Sequence, residues 1–221
     1  MCGRFTLKSP FSDLAKLYRA IFETNAPARY NIAPTQEIAT VAVGKDGVRK
    51  IIPMTWGLIP PWSKEFKAAF TTINAKAETL ETSRMYARPF LSKRCLVLAD
   101  GFYEWKKLDA KTKQPYYFSR KNGPMAFAGL WETWRDQEQD KLRLSTTIIT
   151  TNANSLVSDI HTRMPVILDT VAQDQWLAPD TTPAALKTLL RPFPADEMQS
   201  WPVDKAVGNV RNEGEGLINS L

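Results

Sequence analysis

The chain has 221 residues, 43% of them apolar, which suits one globular domain over residues 1–221 with a core that needs no staples. Two cysteines exclude a disulfide framework, a single histidine argues against a metal centre, and no stretch approaches the roughly 20 apolar residues that span a bilayer. The net charge of +6 is uneven: residues 1–120 carry 20 Lys and Arg against 10 Asp and Glu, residues 121–221 carry 9 against 13, and a basic excess of that kind suits a polyanion.

In chain order the first feature is Cys2, directly behind Met1 in Met1-Cys2-Gly3-Arg4-Phe5. Removal of Met1 would leave an α-amine and a thiol on adjacent carbons. Such a 1,2-aminothiol condenses with an aldehyde to an imine, and the thiol then closes a five-membered thiazolidine. An α-amine titrating near ~7.7–8.0 and a thiol near ~8.5 make the pair competent near neutral pH. The competing reading is a packing thiol at the second codon.

A helix is expected over residues 10–22, with Ser9 as N-cap, Pro10 at the first helical position and Phe11, Leu14, Leu17, Tyr18 and Ile21 on one face. Strands then dominate: Ile38 to Val43, Val48 to Trp56, Cys95 to Ala99, Phe102 to Lys106, Pro115 to Ser119, Met125 to Trp131, Leu144 to Thr150 and Pro165 to Leu168. Lys45-Asp46-Gly47 supplies a hairpin turn between the first two. Helices return at Thr170 to Leu177 and Thr182 to Leu190, the second with Pro183 near its start. Short strands joined by hairpins, without regular strand–helix alternation, indicate an α+β fold on a mainly antiparallel sheet. No sustained heptad argues against a monomer.

Four segments carry groups that could react or bind. Trp62 stands in a Pro-rich turn followed by Ser63-Lys64-Glu65-Phe66-Lys67, a polar and basic setting that suits a surface aromatic for base stacking, whereas Trp56, Trp131 and Trp176 read as core. Asn74 offers a donor and an acceptor. The alternation Phe102-Tyr103-Glu104-Trp105-Lys106 sends Glu104 to the face opposite Tyr103 and Trp105. If partly buried, that carboxyl would have a raised pKa and could exchange protons with an amine; otherwise it is a surface Glu paired with Lys106 or Lys107. The sole histidine, His161, lies in Ile160-His161-Thr162-Arg163-Met164-Pro165, where Arg163 would suit a phosphate. Cys95, in an apolar run, reads as a buried strand thiol.

Together these segments resemble the SOS response-associated peptidase family, from the opening pentapeptide through Tyr30 to Pro34, Trp56 to Pro60, Ile73-Asn74-Ala75, Glu78-Thr79, Cys95 to Lys106, Phe127 to Trp131 and Ile160 to Pro165. The resemblance implies a barrel-like sheet with flanking helices and a sensor of abasic sites in single-stranded DNA that crosslinks to the lesion through Cys2. It assigns Asn74, Glu104 and His161 to positioning and proton transfer. Arg4, Arg84 and Arg163 look like phosphate contacts, Trp62 and Trp105 like aromatics that part or stack flanking bases, and Asn31 and Pro34 like structural or groove-lining parts of the same site. Two departures stand out. Many relatives have Arg where this chain has Lys76, which keeps the charge and loses the fork, and many have Asp where it has Thr162.

Other readings remain at this level: a thiol peptidase acting on its own first residue, an amidotransferase with an N-terminal cysteine, or a noncovalent reader of modified bases. The expected partner is single-stranded DNA, with no cofactor, metal or membrane. The expected location is cytoplasmic, with the nucleoid if the source is bacterial.

Overall fold

The computed structural model describes residues 2–221, apart from the side chain of Phe70. Its strands are β1 (Phe5–Leu7), β2 (Arg29–Ile32), β3 (Glu37–Val43), β4 (Arg49–Trp56), β5 (Asn74–Lys76), β6 (Arg94–Ala99), β7 (Gly101–Lys107), β8 (Lys113–Arg120), β9 (Met125–Asp136), β10 (Lys141–Asn152), β11 (Arg163–Pro165) and β12 (Met198–Pro202). The α-helices are short: α1 (Phe11–Tyr18), α2 (Ala87–Ser92), α3 (Ser155–Ser158), α4 (Thr170–Leu177) and α5 (Pro183–Thr188).

Five strands close into a barrel in the order β10-β4-β3-β6-β9, with β9 returning to β10. All pairs in it are antiparallel except β10 with β4, where Ser145 stands beside Thr55. Strand β10 is long enough to serve further partners: β5 runs parallel to it through Ile148 and Asn74, and β11 pairs antiparallel with its end. The second sheet is antiparallel throughout, in the order β12-β8-β7-β1-β2. The mainly antiparallel, barrel-like α+β architecture read from the sequence is therefore the one observed.

Alternation along β7 joins the two sheets. Phe102 stacks on Phe118 at 5.0 Å between ring centroids and meets Phe127 of the barrel edge-on at 6.1 Å, while Phe5 meets Trp56 at 5.1 Å. These rings lie in the main core with Cys2. Tyr103 points the other way, into a second cluster with Tyr117, Val203, Val207 and Leu217 contributed by the C-terminal segment. Aromatic pairs in such offset and edge geometries add about 0.5–1.5 kcal/mol each beyond burial, so the joint is strong for its size.

Several boundaries differ from the sequence reading, each for a local reason. The first helix covers Phe11–Tyr18, not 10–22, because Arg19 turns left-handed at φ 51° and caps it. Ser9 is not its N-cap: its hydroxyl goes to Asp100 at 2.5 Å, and Pro10 occupies the cap position. Leu17 and Ile21 are consequently exposed, whereas Phe11, Leu14 and Tyr18 are buried. The strand expected at Pro165 to Leu168 begins at Arg163, and beyond Pro165 the chain passes from β10 to β9, Val166 N–H donating to Ile149 O and Leu168 N–H to Ala126 O. Trp131 is half-buried, with the Lys93 ammonium 5.4 Å from its ring centroid, while Trp56 and Trp176 are core as expected. The short elements β1, β2, β5, β12, α2 and α3 carry too little periodicity to be read from sequence. The hairpin turn holds, with Gly47 at φ 75°.

Gly101 shows how tightly β7 is set between its neighbours. A Cβ there would lie 2.4 Å from the Tyr117 ring and 2.5 Å from the Phe118 carbonyl oxygen. Gly101→Ala is expected to cost about 1–3 kcal/mol, the range for overpacking a filled core, measured as a lower urea midpoint at unchanged slope. A midpoint equal to wild type would mean that the sheet gives way there.

Candidate functional site at Cys2

Strand β1 runs antiparallel to β7 in the register Phe5 with Phe102, and the Tyr103 N–H donates to Arg4 O at 2.9 Å. Continuing that register lays Gly3 and Cys2 alongside Glu104 and Trp105. Cys2 is fully buried, and its carbonyl accepts a 2.8 Å hydrogen bond from Asn74 Nδ2. Asn74 is held there by the parallel pairing of β5 with β10, and its Oδ1 is buried with no hydrogen-bond partner. Among the described residues that oxygen is an open acceptor beside a thiol, costly to fold and ready for an incoming N–H or O–H.

Burial pushes the Cys2 thiol far above its ordinary value, and the neighbouring Glu104 carboxylate adds to that. The resting side chain is therefore a protonated thiol, not a thiolate. Glu104 is itself only 4% exposed, and burial raises its pKa against the opposing pull of positive charge, His161 included. The sequence reading of a buried, raised carboxyl thus holds, and the surface pairing with Lys106 or Lys107 does not. The fate of Met1, on which a free α-amine depends, lies outside the described residues.

His161 follows α3, its backbone N–H donating to Val157 O at 2.9 Å. Its Nδ1 stands 3.0 Å from the Arg163 backbone nitrogen, whose N–H it can accept, and 3.2 Å from the Arg163 carbonyl oxygen, to which it can donate, so the tautomer sets which bond forms. Arg163 closes a two-pronged pair with Glu78, 2.6 and 2.9 Å, and also donates to Asn152 Oδ1 and Thr150 O. The Arg163 hydrogen bond holds the Glu78 carboxyl below its usual range. Lys76, exposed on β5 opposite Thr150, stands on the same stretch of β10.

Arg4 donates to Asn31 Oδ1 at 2.7 Å and Val207 O at 2.9 Å, and its guanidinium lies 5.8 Å from the Trp105 ring. Asn31 is 1% exposed, its Nδ2 reaching the carbonyls of Val207, Asn209 and Asn212. It stands behind the surface and holds Arg4, with no atom left for a strand outside. Arg84 and Trp62 stack at 5.2 Å, both of them exposed. The loop that carries Trp62 is fastened by Phe66, which packs on Trp134 at 5.7 Å and under Arg143 at 3.7 Å, and by Trp134 Nε1 donating to Ser63 O at 2.8 Å.

The structure thus brings Cys2, Asn74, Glu104 and His161 together from four distant parts of the chain, with Arg163 beside His161 and Arg4 two residues from Cys2. Sequence reasoning missed Glu78 and Asn152 as the partners of Arg163, the Phe66–Trp134–Arg143 fastening, and the C-terminal carbonyls that hold Arg4. Only Glu78, within a segment already noted, had a visible signal. A cavity of about 640 Å³ lined by Phe11, Phe22, Ile38 and Ile51 contains none of these groups. Among the described residues no helix is long and apolar enough to cross a membrane, and no cluster of three His, Cys, Asp or Glu could hold a metal ion.

A family model described as SOS response associated peptidase (SRAP) matches residues 1–210. The chain belongs to that family. It is 43% identical over 225 residues to the abasic site processing protein YoqW of Bacillus subtilis, covering all of both chains. It is 41% identical over 226 residues to the abasic site processing protein YoaM of the same organism, covering 100% of this chain and 98% of that one. A crystal structure of a protein from Bacteroides thetaiotaomicron, 23% identical, superimposes over all of both chains with a TM-score of 0.88 and shares the SRAP-family fold.

Glu104 gives the site a stability signature. Because burial raises its pKa, the folded chain binds that proton more tightly than the unfolded chain, and stability falls as pH rises from the ordinary carboxylate range through the raised folded value. Glu104→Gln removes the buried charge. Its Tm is expected to exceed that of wild type at neutral pH and to converge with it below the ordinary carboxylate range, in thermal scans across pH. A difference independent of pH would mean that Glu104 is not the titrating group.

Proposed function

We propose that the protein processes abasic sites in single-stranded DNA by forming a covalent crosslink through Cys2 once Met1 is removed. The observation that carries this reading is the burial of Cys2 against Asn74, at 2.8 Å, beside a Glu104 whose carboxyl is raised. The relatives named as abasic site processing proteins support it.

The chemistry follows from the groups present. An abasic deoxyribose must open to its aldehyde, the C1′ hydroxyl giving up a proton as the ring oxygen gains one, and His161 assists this exchange as acid or base. The Cys2 amine adds to the aldehyde carbon, and the carbinolamine loses its oxygen as water after taking a proton from Glu104, to which the nitrogen returns one as the imine forms; burial suits Glu104 to this because it raises the carboxyl's pKa. The Cys2 sulfur then adds to the imine carbon while the thiol proton ends on nitrogen. One carbon–nitrogen and one carbon–sulfur bond form, one water leaves, and nothing is oxidised or reduced. Asn74 Oδ1 would accept from the amine or a sugar hydroxyl, which satisfies the acceptor left open in the protein alone.

A protonated, buried thiol serves this second step, in which it closes a ring on carbon already bonded to its own amine. It serves a thiolate peptidase poorly, since burial disfavours the anion such an enzyme needs. Around the reacting groups, Arg4, Lys76, Arg84 and Arg163 would hold phosphates and Trp62 and Trp105 the neighbouring bases. Glu78 then acts as the placeholder that keeps the Arg163 fork in position until a phosphate arrives.

The test is incubation with a single-stranded oligonucleotide carrying one abasic site, read on a denaturing gel and by intact mass. Wild type is expected to give an adduct at the mass of the Met1-free protein plus DNA less one water. Cys2→Ala and Cys2→Ser should give no adduct that survives without reductant, only an imine that borohydride traps, while still binding DNA in a salt-sensitive way. Cys95→Ala should match wild type, because Cys95 is fully buried and its thiol is pushed up to about 12. A protein with Met1 confirmed absent that forms no adduct would sink the covalent reading and favour a noncovalent binder.

A further inference from the structure

Past Trp105 the β7–β8 hairpin outruns the strands beside it. On one side β1 pairs with β7 only as far as the Cys2 end of the register, and on the other the last rungs of β12 are Pro202 with Tyr116 and Val203 N–H to Pro115 O. From Lys106 paired with Gln114 onward, the hairpin is a two-stranded ribbon projecting from the edge of the site.

That ribbon is strongly cationic. Lys106, Lys107, Lys111 and Lys113 face a single acid, Asp109, whose carboxylate is spent inside the turn accepting the N–H groups of Lys111 and Thr112 at 2.7 Å each. Lys205 of the C-terminal segment lies near enough to act on Asp109 as well. Solubility alone does not explain this, because the longer β9–β10 hairpin is balanced, and on β3–β4 Arg49 and Lys50 are paired with Asp174 and Asp46. On β9–β10 Arg135, Lys141 and Arg143 stand against Asp136, Glu138 and Asp140, with Arg135 paired to Asp140. All three hairpins need solvation, and the one that starts beside Glu104 has the largest uncompensated charge.

Placement decides what such a ribbon would meet. By strand alternation Lys106 shares a face with Glu104, one two-residue step or about 6.6–6.8 Å further out. A DNA backbone leaving the reactive nucleotide past Trp105 would therefore run onto lysines spaced along both strands. Lysine suits such a surface, because its ammonium meets phosphates as a mobile point charge and imposes no sequence. We propose that the ribbon of residues 106–113 is a phosphate track for the single strand on one side of the lesion, an inference that rests on the reading of Cys2 given above.

The test uses a triple variant, Lys107→Gln, Lys111→Gln and Lys113→Gln, with Arg135→Gln and Lys141→Gln as the control ribbon; none of these side chains is buried. Noncovalent binding to an undamaged single strand is measured against salt. The slope of log affinity on log salt is expected to become shallower by about 0.7 for each lysine in contact, about 2 for all three, and to stay at the wild-type value in the control. Crosslinking is then compared on two oligonucleotides with the abasic site close to one end or to the other. A several-fold loss of rate is expected for only one of them, and which one gives the polarity of the strand. An unchanged salt slope, or equal losses on both oligonucleotides, would overturn the track. Should wild type itself form no adduct, the reading of Cys2 fails alone, and the salt slope still decides the ribbon.

Discussion

The pairing of β1 with β7 is the constraint on which the rest depends. A strand of three residues, Phe5–Leu7, is pinned by the ring of Phe5 against Trp56 and Phe127 and by Tyr103 N–H on Arg4 O. Because side chains alternate along β7, one register sends Phe102 into the main core, Tyr103 into the C-terminal cluster and Glu104 alongside the first residues of the chain. A slip of one residue would exchange those faces and separate Glu104 from Cys2. The aromatic joint between barrel and sheet thus fixes the chemistry as well as the fold.

The polar groups gathered at Cys2 themselves oppose folding. A buried carboxyl with a raised pKa, a thiol held neutral by desolvation and an amide oxygen with no partner each cost free energy that a purely structural core would avoid. They cluster around Cys2, while the surrounding core is apolar and well packed. This division is the usual one at sites where activity needs groups that stability does not.

Around that centre the cations are held in place by the protein. Arg4 is anchored by Asn31 and a C-terminal carbonyl, Arg163 by Glu78 and Asn152, and Arg84 by the ring of Trp62. Each guanidinium is thereby held in one orientation, which lowers the ordering cost of any contact it makes. The lysines of the β7–β8 ribbon differ in kind, being spaced along an extended element that reaches into solvent.

What the sequence determined by itself was set by local pattern and chemistry. The alternation around Glu104, the exposed Trp62 in its Pro-rich turn, the buried thiol of Cys95 and most of the long strands were all legible, because period-two burial and turn residues act over a few positions. The family was legible too, from spaced segments spread along the chain. Tertiary structure alone decided the rest. The short strands β1 and β5 form because partners many residues away complete their hydrogen bonds, and nothing within three residues announces that. The first helix stops at Arg19 and gives up Ser9 because Asp100 competes for its hydroxyl. Asn31 read as structural or groove-lining, and its support of Arg4 is visible only in the fold, since the C-terminal segment brings Val207 to it. Residue types revealed which chemistry was present, whereas the meeting of Cys2, Asn74, Glu104 and His161 required long-range strand register, which no local pattern encodes.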